Sequence, residues 1–81
     1  MVFLISSRSG YESFVGLGAS GCALWVTAGV LSPDELEALR ADGADVTDFD
    51  YEIAEGEWDA VECAVATIKE HHPGEVVWAQ A

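Results

Sequence analysis

The apolar positions of the chain fall into short β-type runs and two helical stripes. Val2-Phe3-Leu4-Ile5 is a continuous β-favouring run, closed by the turn-type cluster Ser6-Ser7-Arg8-Ser9-Gly10. Residues 11–17 alternate, with Tyr11, Ser13, Val15 and Leu17 on one side, and this predicts a second strand. Gly18-Ala19-Ser20-Gly21 supplies a tight connection into a third predicted strand over residues 22–28. Links this short predict an antiparallel meander, because a parallel crossover needs about a dozen residues or more.

The next boundary is written more fully. Leu31-Ser32-Pro33-Asp34-Glu35-Leu36 places Ser32 at the N-cap, Pro33 at the first helical position and Glu35 three residues after the cap. This is a capping box, and Leu31 with Leu36 can close a hydrophobic staple around it. The predicted helix runs to Asp42, where Gly43 offers a left-handed stop. Residues 46–53 then alternate: Thr47, Phe49, Tyr51 and Ile53 face one way, and Val46, Asp48, Asp50 and Glu52 the other. Residues 57–71 predict a second helix with Trp58, Val61, Ala64, Val65 and Ile68 on one face. His72-Pro73-Gly74 ends it, and residues 75–79 predict a last strand. The expected order is β-β-β-α-β-α-β. That is a single α+β domain over residues 1–81, with two helices on one face of a five-stranded, mostly antiparallel or mixed sheet.

Charge changes the picture. Fifteen acidic residues against three basic ones give a formal net charge of −12. Twelve of those carboxylates lie between Asp34 and Glu62, where Arg40 is the sole basic residue, so this stretch alone carries 12 − 1 = 11 net negative charges. Acidic chains are often disordered, but a hydrophobic content of 51% is too high for that class. The acidic residues therefore form a charged face on folded elements, in tension with the self-repulsion that opposes compaction. The same sign argues against direct binding to nucleic acid or to an anionic membrane. The opening apolar run is too short for a membrane span or a signal sequence, which predicts a soluble intracellular protein. Cys22 and Cys63, without Cys-x-x-Cys spacing, are expected as free thiols.

Catalytic signatures are weak. Gly16-Leu17-Gly18-Ala19-Ser20-Gly21 fits the dinucleotide pattern, but the β-rich Cys22-Ala23-Leu24-Trp25 follows where a helix should open. The chain also looks too short for a doubly wound sheet. Gly18-Ala19-Ser20-Gly21-Cys22 approaches a nucleophile elbow but lacks its last glycine and its helix. His71 and His72 are adjacent and diverge by about 100° on a helix, which is wrong for a shared metal. The carboxylates do not follow a Ca²⁺-loop spacing, so no metal and no cofactor is expected.

What remains is a displayed row of carboxylates. On a strand, Asp48, Asp50 and Glu52 would repeat about every 6.8 Å, close to twice the phosphate rise of one DNA strand. The expected partner-binding residues are Asp45, Asp48, Asp50, Glu52, Glu55, Asp59 and Glu62, and the expected partner is a protein with a Lys/Arg-lined nucleic-acid groove. In size, acidity and lack of a catalytic motif the chain resembles the small, acidic, phage-encoded inhibitors, a class that includes anti-CRISPR proteins and other DNA mimics. The resemblance implies a non-catalytic inhibitor, acting in the cytoplasm of a bacterial host, that keeps target DNA from a CRISPR–Cas complex. An immunity protein or antitoxin covering a basic nuclease toxin would use the same electrostatics. A small enzyme or ligand-binding module built on Cys22, Ser20 or His71 is the alternative from another class.

Overall fold

The computed structural model of the protein describes residues 1–18 and 21–80. Strands and helices alternate along the chain: β1 (Val2–Ile5), α1 (Arg8–Gly16), β2 (Ala23–Val26), α2 (Pro33–Ala41), β3 (Val46–Asp48), α3 (Trp58–His71) and β4 (Val77–Gln80). The four strands form one sheet in the order β3-β2-β1-β4. Every pairing is parallel, with Val2 opposite both Ala23 and Val77, and Leu24 opposite Val46.

Two apolar clusters fill the two faces. Val2 and Leu4 of β1 join Trp25, Phe49, Ile53 and the α3 residues Val61, Ala64 and Ile68. Phe3 and Ile5 join Leu24, Val26, Val46, Val30, Leu31 and Leu36, with Tyr11 and Phe14 of α1 packed against them. Thus α1 and α2 cover one face and α3 the other. Crossovers of constant hand require this. The chain steps from β1 to β2 to β3 in one direction, then turns back past β2 and β1 to reach β4, so α3 must lie on the opposite face.

The expected five-stranded, mostly antiparallel or mixed α+β sheet with two helices on one face is overturned: the sheet has four strands, all parallel, and three helices on two faces. The decisive difference is residues 11–17, expected as a strand and found in α1. Ser7 is its N-cap, with its hydroxyl accepting from the Gly10 N–H at 3.1 Å. Read with a helical period, Gly10 and Phe14 turn inward, while Val15 and Leu17 are left exposed. A helix between β1 and β2 lengthens that link enough for a parallel crossover, and so the meander disappears. A doubly wound sheet, expected to be out of reach for a chain this short, is built with strands of three or four residues.

The second half follows expectation more closely. The capping box is complete: Ser32 Oγ accepts from the Glu35 N–H at 3.2 Å, and Glu35 Oε1 accepts from the Ser32 N–H at 3.1 Å. Gly43, at φ +88°, ends the helix as expected. The third helix and final strand also form, although Trp58 is exposed. The strand expected over residues 46–53 is only Val46–Asp48; Phe49 and Ile53 still reach the core, from irregular chain. That chain stays tied to the end of β2 by bonds from the Phe49 N–H to the Val26 carbonyl and from the Ala28 N–H to the Tyr51 carbonyl, both 2.9 Å.

Two outcomes check this packing in urea denaturation. Ile68→Ala, at a fully buried position, should cost about 2–5 kcal/mol, whereas Val15→Ala on exposed α1 should stay within about 0.5 kcal/mol. Thr27 is 1% exposed and its hydroxyl has no hydrogen-bond partner among the described residues. The near-isosteric Thr27→Val should therefore raise stability, by about 1 kcal/mol.

Candidate functional site

A parallel sheet with helical crossovers starts every helix at the same edge, the one where strands end. That edge carries residues 6–7, 27–32 and 49–57 together with the first turns of all three helices. The acidic residues Asp34, Glu35, Asp48, Asp50, Glu52, Glu55, Glu57 and Asp59 all fall there. Open α/β sheets also bind ligands at this edge. Here it holds a cleft of ≈ 520 Å³ walled by Ser6, Ser7, Arg8, Gly29, Glu52 and Glu57. Next to it lies a second, of ≈ 640 Å³, bordered by Arg8, Glu35, Asp48 and Asp50.

Arg8 is the cation of this edge, and it is already engaged. Its guanidinium contacts both Glu35 oxygens at 2.9 and 2.8 Å, donates to the Val30 carbonyl at 3.3 Å and lies 5.3 Å from the centre of the Tyr11 ring. Glu35 consequently sits below the usual carboxylate range, held there first by the Ser32 N–H and then by Arg8. Asp48 is paired with Arg40 at 3.0 Å. Glu57 Oε1 accepts the Ala54 N–H at 2.7 Å, in the turn that leads into α3. Among the described residues, no ion pair involves Asp50, Glu52, Glu55, Asp59 or Glu62. Tyr51 sits beside Asp50, and burial, the Cys63 sulfur and the Asp50 carboxylate together push its phenol upward.

Glu52 folds back over Gly29. A side-chain carbon placed on Gly29 would meet Glu52 Oε1 at 2.9 Å, and the glycine itself is at φ +84°. Both features suit glycine alone, so the cleft rim is shaped by backbone as well as by charge.

The sequence-predicted binding residues do not form one row. Asp48 ends β3, but Asp50 and Glu52 lie beyond it in irregular chain, so a regular strand repeat is absent. Asp45 precedes β3 and stands at the opposite edge of the sheet, and its carbonyl accepts from the Leu24 N–H at 2.8 Å. Asp50, Glu52, Glu55 and Asp59 do gather at the cleft edge, and Glu62 is exposed within α3, beyond the first turn. Sequence reasoning missed Arg8, Glu57 and the grouping of Asp34 and Glu35 with them. The all-apolar runs Val2–Ile5 and Ala23–Val26 were the available signal, since strands buried on both faces belong to parallel sheets.

The residues of the catalytic alternative are separated. Cys22 packs on the α1/α2 face, whereas the His71 ring lies 5.5 Å from Trp25 on the α3 face. Ser20 falls outside the described residues. His72 accepts from Trp25 Nε1 at 3.3 Å through Nε2, which leaves Nδ1 to donate to Glu75 Oε2 at 3.1 Å. The glycine motif around Gly16 and Gly18 lies at the edge where strands begin, away from the cleft. Both cysteines are free thiols. Among the described residues no group of three metal-ligating side chains comes together, and no helix is long and apolar enough to cross a membrane.

The chain matches no family model, no curated protein and no solved structure.

The capping box sets a pH dependence that can be measured. Because the folded pKa of Glu35 lies below the ordinary value of a free glutamate, its contribution is present above that ordinary value and fades as pH falls through the folded pKa. The stability gap between wild type and Glu35→Gln should therefore be largest at neutral pH and close on acidification. Ser32→Ala should cost about 0.5–2 kcal/mol in denaturant titration.

Proposed function

We propose that this protein is a non-catalytic binding protein whose acidic helix-start edge docks in the Lys/Arg-lined, nucleic-acid-binding groove of a protein partner. The most concrete partner is a CRISPR–Cas effector, from which the bound chain would exclude target DNA. The observation that carries the reading is the set of carboxylates at Asp50, Glu52, Glu55 and Asp59 that form no ion pair among the described residues, on an edge where Arg8 is bonded to Glu35 and Arg40 to Asp48. Ordinary surfaces balance the two signs; here eight carboxylates meet only Arg8 and Arg40, each of which is bonded to one of them. A basic groove would relieve the repulsion among these groups and speed encounter through long-range attraction.

On this reading the contact is drawn from the residues that share the cleft edge. Asp45 drops out of the proposed contact because it stands at the far edge, and Asp48 is held by Arg40. Glu57 and Asp34 join it, since both lie at the edge that carries the cleft. The proposed surface is a rim of carboxylates around a cleft. Its likeness to a phosphate backbone lies in charge density, because the even spacing of a strand is not present.

Combined reversal at Asp50, Glu52 and Glu55 to Lys should lower affinity for a guide-loaded CRISPR–Cas effector about 100-fold or more, if each charge contributes about 1 kcal/mol. Asp45→Lys should leave affinity within a few-fold. Calorimetric titration at two salt concentrations reads both, and wild-type binding should weaken with added salt. Equal losses for the two variants would remove the acidic edge as the contact; no binding by the wild type would remove this partner.

A further inference from the structure

The two edges of the sheet are finished differently. At β3, the Arg40 side chain folds over the outer side of the strand. Its Nε and Nη2 donate to the Val46 carbonyl at 3.2 and 3.1 Å, and Nη2 also bonds Asp48 Oδ1 at 3.0 Å. A short strand with an occupied carbonyl and flanking charges is a protected edge. At β4, the Val2 N–H bonds the Val76 carbonyl at 2.9 Å, so alternate residues turn toward β1. Val77 and Ala79 therefore point their N–H and C=O groups outward, where no described residue pairs with them.

Beside this open edge lies uncovered apolar surface. Phe3, Phe14, Leu17 and Trp78 border a groove of ≈ 290 Å³ between α1 and β4. Trp78 is 58% exposed, Val76 63% and Leu17 69%. The charge of the chain is elsewhere: residues 76–80 carry none, Arg8 and Glu12 cancel in α1, and Glu75 is paired with the N-terminal amine at 2.9 Å. In a chain of net charge −12, this is the side on which an equally acidic molecule can approach.

We propose that β4 is a self-association edge, occupied by β4 of a second copy running antiparallel to it. A two-fold axis perpendicular to the sheet makes the contact isologous, so it closes at two copies. The sheet becomes eight strands, 4 + 4, and Trp78 and Val76 of each copy cover apolar surface of the other. Antiparallel pairing also turns the two acidic edges to opposite sides of the joined sheet, where they repel least. A parallel mate would set them side by side. This inference is independent of the basic partner proposed above.

Sedimentation equilibrium of the chain, from low to high micromolar concentration at moderate salt, tests it. The expected species is a dimer of about 17 kDa, twice the 8.6 kDa chain, strengthening as salt screens the like charges. That salt response is opposite in sign to the one expected for the basic partner. Ala79→Pro removes an outward N–H that the β1 ladder does not use, and Trp78→Lys places charge in the groove. Each should shift the mass to the monomer while circular dichroism keeps the folded signature and the thermal midpoint matches that of wild type diluted to its monomer; Trp78→Lys serves if the proline unfolds the chain. A wild type that is monomeric throughout, a dimer that survives a folded variant, or growth beyond two copies would overturn the proposal.

Discussion

Burial of β1 on both faces is the constraint on which the rest of the molecule depends. Val2 and Leu4 face α3 while Phe3 and Ile5 face α1 and α2, so four consecutive residues must all be apolar. A strand buried in this way needs a neighbour on each side and a layer above and below. Parallel neighbours joined by helices supply all of these from a short chain. Every helix N-terminus then falls on one edge. Each such end carries roughly half a positive charge, which partly offsets the carboxylates grouped beside it. The topology thereby lets an otherwise repulsive block fold.

Compensation at that edge is local and incomplete. Glu35 is shared between its own helix cap and Arg8, and Asp48 is held by Arg40. Asp50, Glu52, Glu55 and Asp59 have no such partner among the described residues, and the proposed binding function rests on them. The same contrast separates the two sheet edges. Charge and an arginine side chain close β3, whereas β4 offers hydrogen-bonding groups and tryptophan. One molecule thus presents a charged side, on which the proposed basic partner would dock, and a neutral side, where the proposed second copy would pair.

Legibility followed how local each signal was. The Ser32 capping box, Pro33 and the Gly43 stop involve residues within one helix, and all three formed as expected. Val61, Ala64 and Ile68 repeat at helical spacing and are buried together. Residues 11–17 misled because Tyr11, Val15 and Leu17 satisfy strand alternation, while the contacts that decide the matter are the Ser7 cap and the seat of Phe14 against Phe3, with ring centres 5.0 Å apart. The alternation over residues 46–53 was half true: Phe49 and Ile53 are buried, but the regular ladder to β2 breaks after Phe49 bonds Val26, and the next bond, from the Ala28 N–H to the Tyr51 carbonyl at 2.9 Å, skips ahead in register.

By itself the sequence determined the two later helices, the apolar runs of β1 and β2, and the concentration of negative charge between Asp34 and Glu62. Those features depend on neighbours a few residues apart. Only the tertiary structure decided that the strands run parallel, that α3 takes the opposite face, and that Asp45 is parted from Asp50 and Glu52 while Asp34 and Glu57 are brought to them. Which edge a carboxylate occupies is fixed by strand direction, and strand direction is set by which distant elements can jointly bury Val2 through Ile5.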